Sequence, residues 1–494
     1  MVEEAALPAD LTILDYLREY RRQCGTKEGC ASGDCGACTV VISELTQDTD
    51  GNESLTYRSA NSCITFVGSL HGKQLITVEN LTAESPISNV DGLHPSQRAM
   101  VENHASQCGF CTPGFVMSLF AAMKTNKGVS ASRGFIDEQL GGNLCRCTGY
   151  RPIIDAAKEV LNLPYTPDQF DHKSAQTIES LKAISRRGCD MENSSNVRKG
   201  FFRPQTIDEL YQLKTNHPDA AALGGGTDLA LNVTQQLDSI NKVIMLGGVS
   251  DLSFIEESVG ELRIGAATRL TEFCDGISRF CPELRTLMMR FAGTQVRNQA
   301  TVGGNFANAS PVGDLPPVFI ALNASLVLAS ARGERTVKAH EFFVSYKKTL
   351  LEQDEIIREF ILPRSLFDQP DNGNRVVNRF YKISKRLEDD ISAVCAAFHL
   401  ELDGDKIVNV ATGFGGMAAI PSKAETLEAT LTGRVLDARC LKDAANALKQ
   451  DFQPIDDVRA TAEYRHRVSA NLLHRLSAEL YTPDVITTVA QYEH

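Results

Sequence analysis

The spacing of apolar residues changes several times along the chain. Short apolar segments such as TVVI (39–42), KVIML (242–246), ELRIGAA (261–267) and SLVLAS (325–330) are typical of strands. In contrast, Ile153, Ala156, Ala157, Val160 and Leu161 recur at the spacing of one helical face. The chain is therefore predicted to be a mixed α+β protein.

Breaks in this pattern divide the chain into segments. The polar, aperiodic stretch 165–199 is predicted to be a linker, and the polar patch 368–374 ends a mixed segment that begins at about residue 200. Strand patterns followed by helical ones then run from 376 to 485. At 494 residues the chain exceeds one hydrophobic core, and several domains are expected.

Composition narrows the function and the compartment. A formal net charge of -12, without a long basic run, argues against nucleic acid. The longest apolar run, Gly114–Met123, is about half of the ~20 residues that cross a membrane. The acidic first residues do not resemble a secretory signal, so we expect a cytoplasmic protein. Clustered cysteines in that compartment indicate metal ligands or catalytic thiols rather than disulfides.

A first cysteine set has a specific spacing. Cys30, Cys35 and Cys38 form CxxxxCxxC, and Cys63 follows after 24 residues, which is the plant-type pattern for a two-iron, two-sulfur cluster. The small residues around it allow the backbone to fold tightly about a cluster. A structural zinc site is the alternative, but such sites usually pair CxxC with a second short ligand pair.

The second cysteine set is ambiguous by itself. It consists of two close pairs, Cys108 with Cys111 and Cys145 with Cys147. Zinc fits four thiolates in two pairs, and a redox-active CxxC pair is also possible. The remaining six of the fourteen cysteines are scattered and are interpreted as small buried apolar residues.

Two glycine-rich segments are candidates for a nucleotide cofactor. Leu223–Leu229 (LGGGTDL) follows three apolar alanines, precedes a helix-like stretch and could surround a pyrophosphate, although it fails the GxGxxG pattern and could be a plain tight turn. The run from Gly293 to Asp314 is more unusual, because few structural loops need so many small and amide residues.

Four segments, GTKEGCASGDCGACTV, NSCITFVGSLHGKQLITVENL, QCGFCTPGFVMSLFA and GNLCRCTGYRPI, resemble in sequence and order the iron–sulfur region of the molybdenum hydroxylases, the xanthine dehydrogenase and aldehyde oxidase family. The resemblance implies two 2Fe-2S clusters, one held by the first cysteine set and one by the second. It implies a β-grasp ferredoxin-like domain (1–80), a four-helix 2Fe-2S domain (81–164), the linker (165–199), a vanillyl-alcohol-oxidase-type FAD domain (200–372) and a C-terminal α+β flavoprotein domain (376–485).

The glycine-rich segments resemble the FAD domain of the same family. Carried over residue by residue, the resemblance implies flavin contacts from Ala222, Leu223, Gly224, Gly225, Gly226, Thr227, Asp228, Leu229, Phe291, Ala300, Thr301, Gly304, Asn305, Asn308, Asp314, Ile357 and Lys382. Without it, Ile357 is equally a core aliphatic residue and Lys382 a solvated one. The run Glu388–Asp390 would border the flavin or form a solvated turn, and Tyr346 would lie near a nicotinamide site.

The resemblance is greatest to the small subunits of split bacterial xanthine dehydrogenases. It implies that a molybdopterin-binding partner oxidises hypoxanthine and xanthine to urate, and that electrons reach FAD through the two clusters and then NAD+. It also implies a two-fold heterotetramer, and no catalytic residue is assigned on this chain. Alternatives are a subunit for an aldehyde, an N-heterocycle or carbon monoxide, a non-catalytic electron carrier, and a zinc-binding scaffold.

The beginning of the chain departs from the family pattern. The family's ferredoxin domain has a strand and turn before the helix predicted at Thr12, and too few residues precede Thr12 here for both. We expect the first strand to be missing, either because the sequence begins at a wrong start site or because the domain is genuinely shortened. An intact mass of the native protein equal to this sequence would contradict the wrong start site.

Overall fold

The computed structural model describes residues 7–48, 50–82, 92–187, 200–370, 372–482 and 484–487. The chain divides into two compact units, one of Met1–Val249 with Ala292–Ala300 and one of Ser250–Phe291 with Thr301–His494. Each unit contains part of the predicted FAD domain 200–372. Among the described residues, no helix has the length and apolar character needed to cross a membrane.

The first unit begins with a helix and a small antiparallel sheet. Thr12 caps the helix Ile13–Asp15 by accepting a hydrogen bond from the Asp15 backbone N–H at 3.1 Å, as its sequence predicts. Strand Thr39–Gln47 lies in the middle of the sheet, between Glu53–Asn61 and Gln74–Ile76. Residues 1–6, on which the expected absence of an earlier strand depends, lie outside the described residues.

Four helices follow in the first unit. They are Pro95–Glu102, Thr112–Asn126, Arg133–Leu140 and Arg151–Asn162. The apolar face predicted on the last of them is buried, as are most side chains of the longest helix. These faces form one hydrophobic core, which confirms the helical character predicted for this part of the chain.

The predicted linker 165–199 contains regular structure in its described part. Helices Gln169–His172 and Ser174–Arg187 occupy much of it, and 188–199 lie outside the described residues. Lys124, from the four-helix region, is buried and donates to Asp168 at 2.6 Å and to Asp171 at 2.7 Å. The polar composition of 165–199 predicted an irregular linker. Instead, the ion pairs of Lys124 with Asp168 and Asp171 hold the first part of this segment against the four helices.

A small parallel sheet completes the first unit. Its middle strand, Val243–Met245, pairs with Phe201–Phe202 and Ala221–Leu223. Helices Ile207–Asn216 and Leu229–Thr234 accompany this sheet, and the short helix Thr294–Arg297 belongs to the same unit.

The second unit contains a five-stranded antiparallel sheet. Its strand order is Gly333–Lys338, Ser325–Ser330, Ile356–Pro363, Glu261–Gly265 and Ile255–Ser258. A two-stranded sheet pairs Phe343–Ser345 with Lys348–Thr349. The helices of this region are Leu270–Ile277, Pro282–Met289, Val302–Ala307 and Leu315–Ala321.

The C-terminal part of the second unit is a three-stranded sheet covered by helices. Strand Val394–Asp403 lies between Arg375–Ile383 and Lys406–Gly415. Helices Glu425–Leu431, Ala438–Asp451 and Ala462–Tyr481 pack their apolar side chains on it. The mixed helix and sheet composition of the whole chain agrees with the predicted fold class.

The buried lysine of the first unit gives a stability prediction. Replacing Lys124 by Met leaves the buried carboxylate of Asp168 without its cation, so the free energy of unfolding should fall by about 3–5 kcal/mol at neutral pH. K158M, which changes an exposed lysine on a neighbouring helix, should stay within about 0.5 kcal/mol of the native protein. Denaturant titration measures both, and equal losses would contradict the assignment.

The effect of Lys124 should also depend on pH. Burial opposes ionisation of Asp168, but the hydrogen bond with His94 and the charge of Lys124 hold its pKa well below the usual range. The resulting stability is complete above the ordinary carboxyl pKa and declines as the pH falls through the lowered one. The stabilities of the native protein and K124M should therefore converge in acid.

Candidate cofactor sites

The structure brings the four cysteines of the first set together. Cys38 and Cys63 are buried, and their Sγ atoms lie 3.3 Å apart. The Cys30 thiol contacts those of Cys35 and Cys63. Cys38 immediately precedes the central strand of the first sheet, and Cys63 follows the neighbouring strand. The strand pairing therefore aligns two ligand positions that are far apart in sequence.

The loop between Cys30 and Cys35 folds closely around its thiols. The backbone N–H groups of Ser32 and Cys35 both point to Cys30 Sγ at 3.4 Å. A Cβ atom on Gly29 would lie 2.7 Å from Cys35 Sγ, and Gly33 has a left-handed φ of +84°. Backbone donors around thiolates and this tight curvature are what a cluster-binding loop requires.

The second set forms two thiol pairs in the four-helix region. Cys108 contacts Cys147, and Cys111 contacts Cys145. Cys108 and Cys147 are exposed, whereas the other two are partly buried. The Thr148 hydroxyl lies 3.1 Å from Cys145 Sγ. Each thiol contact therefore joins one cysteine of the 108/111 pair to one cysteine of the 145/147 pair.

The two cysteine sets lie within the same unit and their loops are in direct contact. The Leu144 N–H, next to Cys145, donates to the carbonyl oxygen of Cys35 at 2.9 Å. A side chain on Gly36 would overlap the Gly142 carbonyl, and one on Gly114 would overlap the Gly36 carbonyl. Glycine at positions 36 and 114 therefore permits the contact between the loops.

The donor chemistry of both sets fits iron–sulfur clusters. Contact with Cys35 lowers the pKa of Cys30, and contact with Cys30 raises the pKa of Cys63. Burial raises the pKa of Cys111 to about 12. Such crowded thiols become thiolates together only when bound metal supplies positive charge. Within the described ranges, no group of three or more His, Cys, Asp or Glu side chains is arranged to hold a single metal ion. Cysteine thiolates are the ligands of two-iron clusters.

The first predicted flavin segment lies in the first unit. Strand Ala221–Leu223 leads into the glycine loop, and Gly226 has a φ of +82°. A side chain on Gly225 would overlap the Gln299 carbonyl oxygen, next to Ala300. The predicted residues 222–229 and Ala300 thus approach one another through backbone contact, which only glycine at position 225 allows.

In the second unit, Asp314 and Lys382 form a buried pair. Lys382 Nζ donates to Asp314 Oδ2 at 2.5 Å, and the Ser392 hydroxyl donates to Asp314 Oδ1 at the same distance. The Phe291 ring lies 5.9 Å from Lys382 Nζ. The alternative of a solvated lysine is wrong, because Lys382 is 5% exposed. Three predicted flavin residues, Phe291, Asp314 and Lys382, are therefore in contact.

Other predicted flavin residues surround the short helix Val302–Ala307 of the second unit. Thr301 caps it by accepting from the Gly304 N–H at 3.1 Å. Asn305 Oδ1 is buried and has no hydrogen-bond partner in the described part of the chain, which leaves it available to accept a hydrogen bond from a cofactor. The side-chain oxygen of Asn308 accepts from Lys347 at 2.8 Å. Ile357 is buried in a strand. Burial fits both of its interpretations, as a flavin contact and as an ordinary core residue.

The acidic run Glu388–Asp390 is only partly solvated. Asp389 is buried and has a left-handed φ of +46°. Asp390 accepts from the Arg386 backbone N–H at 2.9 Å. Tyr346, expected near a nicotinamide site, is 62% exposed.

Sequence patterns missed two residues that hold this region. Arg290 donates to the carbonyls of Lys382 and Leu387, at 2.7 and 2.9 Å, and so fixes the segment that precedes the acidic run. Ser392 was missed because a single serine carries no pattern; only its position opposite Asp314 reveals it. Arg290 directly precedes the predicted flavin residue Phe291, and this adjacency is the feature of the sequence from which its role could have been predicted.

Family comparisons divide the chain into four matched regions. Residues 2–68 match the "2Fe-2S iron-sulfur cluster binding domain", and residues 77–158 match the "[2Fe-2S] binding domain". Residues 194–365 match the "FAD binding domain in molybdopterin dehydrogenase", and residues 379–480 the "CO dehydrogenase flavoprotein C-terminal domain". The chain belongs to the molybdenum hydroxylase family. The predicted architecture of two 2Fe-2S domains, an FAD domain and a C-terminal flavoprotein domain is confirmed.

Curated members of the family match along most of this chain. Xanthine dehydrogenase of Emericella nidulans is 34% identical over 496 residues, covering 90% of this chain and 35% of that protein. Xanthine dehydrogenase 1 of Arabidopsis thaliana is 30% identical, and xanthine dehydrogenase/oxidase of Mus musculus is 32% identical, with 36% and 33% of those proteins covered. The chain spans about a third of the length of these relatives.

Solved structures align with somewhat more than half of this chain and with almost the whole of each matched chain. Cu,Mo-CO dehydrogenase aligns with a TM-score of 0.51 and 28% identity, over 56% of this chain and 95% of the matched chain. Reconstituted CO dehydrogenase from Oligotropha carboxidovorans aligns with 0.52 and 27%, over 58% and 98%. Quinoline 2-oxidoreductase from Pseudomonas putida 86, at 24% identity and a TM-score of 0.52 over 57% and 96%, shares the fold.

Serine substitution tests the cysteine assignment. C63S should remove the first cluster and C147S the second, because a serine oxygen is a poor substitute for a soft thiolate ligand. The iron content should fall from about four to about two per chain in each variant. Cys24, outside both sets, is exposed rather than buried as predicted, and C24S should keep its iron. Iron and sulfide analysis with electron paramagnetic resonance measures this, and full iron in C63S or C147S would contradict the assignment.

Gly225 offers a separate test of the flavin segment. G225A places a methyl group against the Gln299 carbonyl oxygen and should displace the glycine loop. The FAD content should fall at least about tenfold while the iron content is unchanged, since ~1–3 kcal/mol of strain weakens binding by that order. G247A, whose new Cβ would meet only the Met245 side-chain end at 3.6 Å, is the control. Full FAD in purified G225A would refute the loop's role.

Proposed function

We propose that this chain is the electron-transfer and NAD+-reducing subunit of a xanthine dehydrogenase. The observation that carries the proposal is the presence of two four-cysteine sets in direct contact, followed on the same chain by an FAD-binding domain. When bound, the clusters would carry single electrons, and FAD would collect two of them and pass them on with a proton as one hydride. The xanthine dehydrogenase name of the curated relatives supports the choice of enzyme.

In this proposal the protein's own residues bind, orient and shield the cofactors. The cysteine sets are Cys30, Cys35, Cys38 and Cys63 for one cluster and Cys108, Cys111, Cys145 and Cys147 for the other. The burial of Cys38 and Cys63 excludes water from one side of their set. Asp314 and Lys382 place a buried charge pair among the predicted flavin residues, where it can orient hydrogen-bonding edges of the ring. No side chain is proposed as a nucleophile or general base.

The remaining parts of the proposed enzyme lie on a partner. A molybdopterin-binding subunit would oxidise hypoxanthine and xanthine to urate, and two heterodimers would form a two-fold tetramer in the cytoplasm. The partner subunit and its substrates rest on the family resemblance. NAD+ as the acceptor rests on the family resemblance.

A second candidate is the corresponding part of an enzyme for carbon monoxide or an N-heterocycle. The structural alignments with CO dehydrogenase favour it, since almost the whole of each matched chain is covered. The presence of both iron–sulfur domains and the FAD domain on one chain favours the purine enzyme, since the alternatives often use three chains.

NADH-dependent reduction of an artificial dye by the purified chain tests the NAD+ half of the proposal. An NAD-reactive flavoprotein should reduce the dye with NADH, because hydride transfer to FAD is reversible. A chain that contains FAD, as its absorbance shows, and has no NADH activity would contradict NAD+ as the acceptor. With the partner subunit present, xanthine, hypoxanthine, aldehydes and carbon monoxide can be compared, and preference for carbon monoxide would favour the second candidate.

A further inference from the structure

The segment Thr294–Gln299 belongs to one domain by sequence and to a different unit by structure. In sequence it lies inside the match to the FAD-binding domain, residues 194–365. In the structure it belongs to the first unit, which contains both cysteine sets. Although the segment is short, its side chains make polar contacts with several elements of that unit. Its contacts therefore suggest a role beyond flavin binding.

Gln295 lies at the centre of these contacts and is fully buried. Its amide nitrogen donates to Asn143 Oδ1 at 2.8 Å, to the Ser118 hydroxyl at 3.1 Å and to the Thr39 hydroxyl at 3.4 Å. The Ser118 hydroxyl also donates to Asn143 at 2.7 Å. One side-chain amide thus joins three different elements.

Each partner of Gln295 is close in sequence to a predicted cluster ligand. Thr39 directly follows Cys38 of the first set. Asn143 lies two residues before Cys145, and Ser118 lies on the helix capped by Cys111. Gln295 is therefore connected to the ligand-bearing elements of both sets.

Asn143 closes the connection between the two sets. Its amide nitrogen donates to the Gly36 carbonyl at 3.0 Å, within the CxxxxCxxC loop. Thr39 donates to the same carbonyl at 2.6 Å. A displacement of Gln295 would therefore change the hydrogen bonds that position both cysteine loops.

The other side chains of the segment keep Gln295 in place. Thr294 donates to the Glu138 carbonyl at 2.7 Å, and Asn298 donates to the Ser59 carbonyl at 3.0 Å. Gln299 accepts from the Thr65 hydroxyl at 2.5 Å, two residues after Cys63. These contacts fix both ends of the segment against the cysteine-bearing elements.

Packing alone does not account for Gln295. Its carbonyl oxygen is buried against Gly142 and Gly293 and has no hydrogen-bond partner among the described residues. Leaving a polar atom in that state costs about 1–3 kcal/mol, which an apolar residue would avoid. The amide is explained by the three donor contacts that it makes with the ligand-bearing elements.

We infer that Gln295 is a positioning residue for both cluster sites, through which a segment of the FAD-binding domain sets the geometry of the two cysteine loops. This inference rests on the proposed function, because it requires that both sets hold clusters. It assigns residues Thr294–Gln299 of the Gly293–Asp314 run to the clusters rather than to the flavin.

The test compares Q295M with N378L in the full-length chain. Methionine keeps the approximate volume of Gln295 but cannot donate. N378L removes another buried amide, which bonds the Leu366 carbonyl and His399 in the second unit, and so matches the loss of polar contacts. The readouts are iron content, melting temperature, the paramagnetic signals of both reduced clusters, and the rate at which each signal is lost to an iron chelator.

Q295M should retain both clusters while the signals of both change shape. Iron loss from each cluster should accelerate on the order of tenfold, as expected from the removal of buried hydrogen bonds. N378L should lower the melting temperature and leave both signals unchanged. Native signals and release rates in Q295M, or a change in one cluster only, would overturn the inference.

S118A provides a second variant that removes one partner of Gln295 at little cost in volume. It should change both signals in the same sense as Q295M but to a smaller extent, and unchanged signals would overturn the inference even if Q295M fails to fold. Loss of FAD from Q295M with normal cluster signals would instead assign Gln295 to the flavin. Absence of iron from the native chain would defeat the proposed function, and the inference with it.

Discussion

The close contact between the two cysteine loops is the constraint on which the rest of the first unit depends. A hydrogen bond from Leu144 to the Cys35 carbonyl joins the loops, and Gly36 and Gly114 leave room for it. A side chain at either glycine would overlap backbone of the facing segment. Buried amide and hydroxyl groups then maintain the position of the loops in addition to the apolar packing around the cysteines. Such polar contacts fix a geometry more narrowly than apolar packing does.

Buried charge has a comparable role in the second unit. The Asp314–Lys382 pair has lost its hydration, and its cost is offset only because Ser392 supplies a further hydrogen bond to the carboxylate. Arg290 donates a hydrogen bond to the backbone carbonyl of Lys382 and so fixes the backbone of that residue. A charge pair fixed in this way presents a constant electric field, which is what a bound redox group requires of its surroundings.

Local chemistry explains how much the sequence could predict. The spacing of Cys30, Cys35 and Cys38 indicated a cluster by itself, because a tight loop determines which thiols can meet. The pairing of Cys108 with Cys147 could not be predicted, since it depends on how the four helices pack. The helices within 165–187 were missed because the ion pairs of Lys124 with Asp168 and Asp171, rather than an apolar face, fix their beginning. Gln295 was also missed, as its partners are far apart in sequence.

Metal and cofactor analysis of the native chain, combined with electron paramagnetic resonance after reduction, tests the central claim most directly. The account predicts about four irons, about four sulfides and one FAD per chain, with two distinct paramagnetic signals. About two irons and one signal would leave only the first cysteine set as a cluster site. Zinc without iron or flavin would contradict the account as a whole.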